Sequence, residues 1–131
     1  MIVYLAGGMR TDWQDRVKEA LPEVVFIDPR DHGFTEEHLY TAWDMLGVNQ
    51  CNVVFLYIEK DNPSGANAIY EAGKARGQGK CLVFVDEKQD KYQRLPAHDA
   101  HFYTNDFAES IEILKKLEPI YNHEKVSIRK G

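Results

Sequence analysis

Two carboxylates stand out in this chain by what surrounds them. Glu71 falls early in a stretch of small residues, Ala66-Asn67-Ala68-Ile69-Tyr70-Glu71-Ala72-Gly73-Lys74-Ala75, directly behind the turn-forming run Asp61-Asn62-Pro63-Ser64-Gly65. Ahead of that turn, Val53-Val54-Phe55-Leu56-Tyr57-Ile58 reads as a buried strand. A strand, a polar glycine loop and a helix with an acid near its positive end can hold a small polar ligand against a nucleophile or base. A carboxylate there is favoured as the anion by roughly 0.3–1 kcal/mol. Asp44 adjoins Trp43 and Met45 in a helix that otherwise presents an apolar face. Spacing alone gives each acid a plainer explanation as well. Glu71 could be a solvated partner of Lys74 or Arg76, and Asp44 a residue on the polar boundary of its helix.

Other side chains carry weaker signals. Asp28 and Arg30 follow the second apolar run, where loop residues often meet ligands, yet they suit equally an ion pair ordering the turn at Pro29. Asn62 and Ser64 are helix-capping types, with ligand contact an additional role. Tyr4, on an interior strand, is more often a core aromatic than a ligand contact, and its place just before Gly7-Gly8 raises the odds of the second. No G-x-G-x-x-G pattern follows that first strand, which excludes a dinucleotide fingerprint. His98 and His101 lack a third ligand at metal spacing, so no metal is expected. Cys51 and Cys81 show neither metal nor redox spacing and read as buried, reduced thiols.

The elements that must position these residues follow from periodicity and turn chemistry. Strands are expected at Ile2–Ala6, Val24–Ile27, Val53–Ile58 and Cys81–Val85, with a short fifth at His101–Tyr103. Thr11 and Gln14 have capping-box spacing for a first helix that Pro22 stops. Thr35 is expected to cap a second helix whose apolar face is Leu39, Ala42, Trp43 and Leu46, ending near Gly47. A third helix spans about Ala66 to Arg76, broken by Gly77-Gln78-Gly79. The last begins near Asn105 with Phe107, Ile111, Leu114 and Leu117 on one face, and Asp86 to Asp99 reads as a surface loop. Continuous apolar strands alternating with helices predict an α/β flavodoxin-like three-layer sandwich. Its five-stranded sheet is mostly parallel, in the order 2-1-3-4-5. That order brings Gly7-Gly8-Met9 and the Asp61–Gly65 loop to one crevice outside the carboxyl ends of the strands.

The chain has 131 residues, which suits a single domain over 1–120 followed by a charged tail at 121–131. A net charge of -5 argues against nucleic acid as a partner, because phosphate backbones require a basic field, but leaves a mononucleoside open. No apolar stretch approaches a membrane span, and the N-terminus enters a strand with no basic leader. A cytoplasmic protein without a membrane partner is therefore expected.

Three sequence features together resemble the nucleoside 2-deoxyribosyltransferase family over residues 1–86. They are the opening Ile2-Val3-Tyr4-Leu5-Ala6-Gly7-Gly8-Met9; Asn62-Pro63-Ser64-Gly65 with Glu71-Ala72-Gly73-Lys74-Ala75 and Gly79-Lys80; and Asp44 followed by Gly47 and Phe55-Leu56-Tyr57. The resemblance implies that Glu71 is the nucleophile that attacks C1′ of a 2′-deoxyribosyl unit, giving a covalent glycosyl-enzyme. It implies that Asp44 is the acid/base acting on the departing and incoming nucleobases. It assigns Asn62, Ser64 and the Gly65 turn to sugar contacts or to orienting the nucleophile, and Tyr4, Gly7 and Gly8 to the floor of the site. Met9, Trp13, Asp28 and Arg30 would then stand near the base or the 5′ end. Transfer of the sugar to another nucleobase, no cofactor, small-molecule substrates and a homo-oligomer whose subunits share sites are further implications. Asn67 departs from the pattern, standing where related sequences often carry glycine. Two alternatives remain at this point: an N-glycosidase acting on nucleosides or 5′-monophosphates, and a nucleotide-sensing module without catalysis.

Overall fold

The computed structural model describes residues 1–61 and 65–122. Five parallel strands form one sheet in the order β2-β1-β3-β4-β5: β1 (Ile2–Gly7), β2 (Val25–Ile27), β3 (Val53–Ile58), β4 (Cys81–Asp86) and β5 (Phe102–Thr104). Residues of β3 and β4 are buried throughout, as uninterrupted apolar runs in a sheet covered on both faces must be. Alternation along β1 divides the core. Val3 and Leu5 point to one face, where Trp13 and Val17 of α1 (Trp13–Ala20) and Ile111, Leu114 and Leu117 of α5 (Phe107–Tyr121) cover them. Tyr4 and Ala6 point to the other, under α2 (Glu37–Gln50) and α3 (Ala66–Gly77).

That second face admits its helices closely because their inner residues are small. Ala68, Ala72 and Ala75 of α3 are buried on the sheet. In α2, Gly47 takes the equivalent part: a β-carbon there would lie 2.9 Å from the Ile27 side chain and 3.0 Å from the Tyr4 ring. The helix therefore rests directly on Tyr4.

Several local expectations need correction. Neither Thr11 nor Gln14 caps α1, whose N-cap is Asp12 without a side-chain bond. Thr11 instead donates to Glu59, and Gln14 donates to the Gly8 carbonyl. Thr35 does not cap α2; the N-cap is Glu36, and the helix runs past Gly47 to Gln50. The expected inner face of α2 is also misplaced. Leu39 and Leu46 are exposed, and the helix buries Gly47 and Val48 instead, Gly47 facing Ile27 and Tyr4 of the sheet. The stretch expected as a loop holds a 3₁₀ turn at Lys91–Gln93, with Asp90 and Gln93 forming a reciprocal capping box, and a short helix α4 (Arg94–Asp99). Helix α5 extends through Tyr121, and residues 123–131 of the expected tail lie outside the described residues.

The turn after β2 is ordered by charge. The Asp28 side chain is fully buried and accepts from Lys18 at 2.7 Å and from Arg30, which also reaches Asp15 at 2.7 Å. Burial by itself would raise the Asp28 pKa, but the bonds from Arg30 and Lys18 outweigh it and hold the carboxyl below its ordinary range. A group depressed in this way stabilises the fold above its unfolded pKa and loses that contribution as the pH falls. Asp28→Ala is expected to lower unfolding stability at neutral pH by about 1–3 kcal/mol. Urea unfolding should show that difference shrink below about pH 4.

Candidate active site

A cavity of about 470 Å³ opens at the carboxyl ends of the strands. Most of its lining comes from three places: Gly7, Gly8, Met9 and Arg10 at and after the end of β1; Tyr40, Thr41, Asp44 and Met45 of α2; and Gly65, Asn67, Ala68, Tyr70 and Glu71 at the start of α3. Pro29 and His32, from the turn after β2, close one side. The chain reversal between β1 and β3 creates this crevice, as expected for a doubly wound sheet.

Glu71 is almost entirely buried and accepts a hydrogen bond at Oε2 from the Tyr4 hydroxyl. Tyr4 lies wholly beneath the cavity, its ring against Gly47 and its hydroxyl on the carboxylate. Burial pushes the Glu71 carboxyl up to about 7; the Tyr4 bond opposes that rise and the charge of Asp44 adds to it. The Tyr4 hydroxyl is driven far above its ordinary pKa by burial and by the Glu71 charge, so it remains a donor. Asp44 is half-buried, and its Oδ1 atom has no hydrogen-bond partner among the described residues. Burial raises its pKa, partly offset by His32. The cavity therefore holds two carboxyl groups, both raised, one held by a phenol and one with an oxygen left for a ligand.

His32 is stacked on Tyr40 with centroids 5.2 Å apart, and Phe34 and Trp43 complete an aromatic group beside the opening. Nothing in their spacing marked these residues in advance, because the loop and helix that carry them meet only in the folded chain. Among the described residues, no three His, Cys, Asp or Glu side chains group as metal ligands would. Nor is any helix there long and apolar enough to cross a membrane.

The candidate residues separate by position. Glu71, Asp44, Gly7, Gly8, Met9 and Gly65 line the cavity, and Tyr4 supports Glu71 from below. Asp28 and Arg30 are engaged with each other and with Lys18 and Asp15, and do not line it. Trp13 is completely buried on the opposite face of the sheet, packed on Phe55 and Tyr57, and donates from Nε1 to the Gly8 carbonyl. Asn62 and Ser64 lie outside the described residues.

A family model described as nucleoside 2-deoxyribosyltransferase like matches residues 1–89. No curated protein sequence matches the chain. Among solved structures, a 2-deoxyribosyltransferase from Bacillus psychrosaccharolyticus is similar with a TM-score of 0.69 at 15% identity, over 83% of this chain and 89% of that one. A 2-desoxiribosyltransferase from Leishmania mexicana is similar with a TM-score of 0.56 at 19% identity, over 64% of this chain and 63% of that one. At these identities the structural likeness speaks for the fold.

The burial of Glu71 has a thermodynamic signature. Its pKa rises from 4.5 to about 7 on folding, so its contribution to stability falls as the pH climbs through that interval. Glu71→Gln removes the buried charge and should be more stable than the parent at pH 8, by roughly 1–3 kcal/mol, with the advantage fading at pH 5. Carbon-detected NMR titration should place the Glu71 midpoint near 7. Tyr4→Phe removes the bond that favours the anion and should move that midpoint upward by on the order of one pH unit.

Proposed function

Because the chain belongs to the nucleoside 2-deoxyribosyltransferase-like family, we propose that it cleaves the N-glycosidic bond of a 2′-deoxynucleoside and transfers the 2-deoxyribosyl group to another nucleobase. The observation that carries this reading is the pair of raised carboxyl groups in one cavity, Glu71 on the Tyr4 hydroxyl and Asp44 with an unpartnered oxygen.

In the proposed first step, Oε1 of Glu71 attacks C1′ as the C1′–N bond breaks. The departing base keeps the electron pair of that bond and takes a proton from Asp44. Tyr4 occupies Oε2, which leaves the other oxygen to attack. An anionic carboxylate beside C1′ stabilises the oxocarbenium charge that develops there before bonding to it. A carboxyl group whose pKa is raised by burial keeps a proton nearer neutrality than an ordinary aspartate, which suits Asp44 to the acid role. In the second step a nitrogen of the incoming base attacks C1′ and gives its proton to the Asp44 carboxylate, and Glu71 leaves with the electrons of the ester bond. This division of labour between two carboxyl groups parallels that of retaining glycosidases.

A second reading keeps the chemistry and changes the acceptor to water, with a nucleoside 5′-monophosphate as substrate. It is favoured by Arg10, a cation that lines the cavity and has no ion-pair partner among the described residues. A homo-oligomer belongs to the leading proposal. Leu39 and Leu46 leave an apolar side of α2 uncovered within the chain, Leu46 at 62% exposure. Sedimentation should show an assembly larger than one chain that Leu46→Lys weakens; a parent that stays monomeric at high concentration refutes this part.

Chromatography of purified protein with deoxynucleosides and their monophosphates, with and without free adenine, tests the reaction. A new deoxynucleoside formed only with acceptor is the expected result. Glu71→Ala should reduce the rate by at least about 10³-fold, because the covalent step has no substitute. The rate should rise with pH through about 7 as Glu71 ionises. Free base released regardless of acceptor would favour the hydrolase, and no turnover across the panel would leave a sensing module.

A further inference from the structure

Trp13 and Gln14 are buried polar side chains for which the proposed reaction has no use. Both converge on a single atom. Trp13 Nε1 donates to the Gly8 carbonyl oxygen at 2.8 Å, and Gln14 Nε2 donates to the same oxygen at 3.1 Å. Two adjacent residues at the start of α1 thus hold one peptide of the loop after β1 from the side of the sheet opposite Tyr4 and Glu71. Gly7 adds a steric limit, since a β-carbon there would lie 2.8 Å from the Trp13 ring and 2.6 Å from the Tyr57 carbonyl.

A trans peptide directs its C=O and the following N–H in opposite senses, and no peptide among the described residues is cis. With the Gly8 oxygen drawn toward α1, the amide of Met9 is turned toward the face where α2 and α3 enclose the cavity. Gly8 and Met9 both line that cavity, and no described group accepts the Met9 N–H.

We propose that the Met9 backbone N–H is a hydrogen-bond donor to an oxygen on the sugar side of the ligand, and that Trp13 and Gln14 are positioning residues that aim it. This rests on the nucleoside reading of the site. A backbone donor fixed in advance binds without the ordering cost that a flexible side chain would carry. The acceptor is a hydroxyl or a phosphoryl oxygen, and both arise at the 5′ end of the substrates considered. The Gly8 oxygen has two lone pairs and so takes both bonds at once.

Amide NMR of the full chain, titrated in parallel with a deoxynucleoside and its 5′-monophosphate, provides the test. The Met9 resonance should move with at least one of them as the Asn67 and Ala68 amides do; a response to the monophosphate alone identifies the phosphoryl oxygen. Gln14→Met keeps the volume and removes the donor. It should fold, keep kcat within about twofold, and raise KM on the order of tenfold, as loss of a ground-state contact does. Should Gln14→Met fail to fold, the Met9 response of the parent protein decides alone. A Met9 amide that stays still while other cavity amides shift overturns the proposal, as does a titration in which no cavity amide responds to either ligand. Binding seen without turnover would sink the proposed reaction and leave the Met9 contact standing.

Discussion

The hydrogen bond from Tyr4 to Glu71 is the constraint on which the site depends. It joins β1, an interior strand of the sheet, to the first turns of α3, and it places a carboxylate where little water reaches it. Everything around it has to be small. Ala68 and Ala72 bring α3 down until Glu71 meets the phenol, and Gly47 lets α2 close over the ring from the other side. Asp44 is one helical turn before Gly47, so the contact that seats Tyr4 also sets how far the second carboxyl group stands from the first.

Such a site runs against stability. A carboxylate pushed up to about 7 is a group that the fold would hold more easily without its charge. The surroundings offset that cost only partly: among the described residues Tyr4 donates to the carboxylate and no cation forms an ion pair with it. By contrast the buried Asp28 is met by Lys18 and Arg30 and behaves as a structural ion group. Asp28 and Glu71, both buried, therefore have opposite characters, and the difference lies in what faces them. On the proposed reading of Glu71 as nucleophile, ion pairing of the Asp28 kind would lower its basicity and make it a poorer nucleophile.

Capping signals show how tertiary partners decide between local options. Thr11 and Gln14 carry capping-box spacing, and so do Asp90 and Gln93. Only the second pair forms the box. Glu59 engages the Thr11 hydroxyl and the Gly8 carbonyl takes the Gln14 amide, and both partners come from elsewhere in the fold. The apolar pattern of α2 misleads for a related reason. Leu39, Ala42 and Leu46 have the periodicity of a core face, yet all three are exposed and the helix buries Gly47 and Val48 instead.

By itself the sequence determined the strands, the parallel order of the sheet and the crevice at its carboxyl edge, because unbroken apolar runs, helix breakers and chain length leave few other ways to cover both faces. Spacing alone left Glu71 and Asp44 with plainer explanations, and it was the family resemblance of the motifs around them that marked both as candidates. Only the tertiary structure decided which polar groups meet. That Tyr4 bonds Glu71 across 67 residues, that Arg30 is held by Asp28 and Asp15 away from the cavity, and that Trp13 bonds the Gly8 carbonyl from behind the loop depend on where the folded chain brings each partner, near or far in sequence. Periodicity reports which side of an element faces inward. It carries no information about what waits there, and hydrogen bonds and pKa shifts depend on that neighbour.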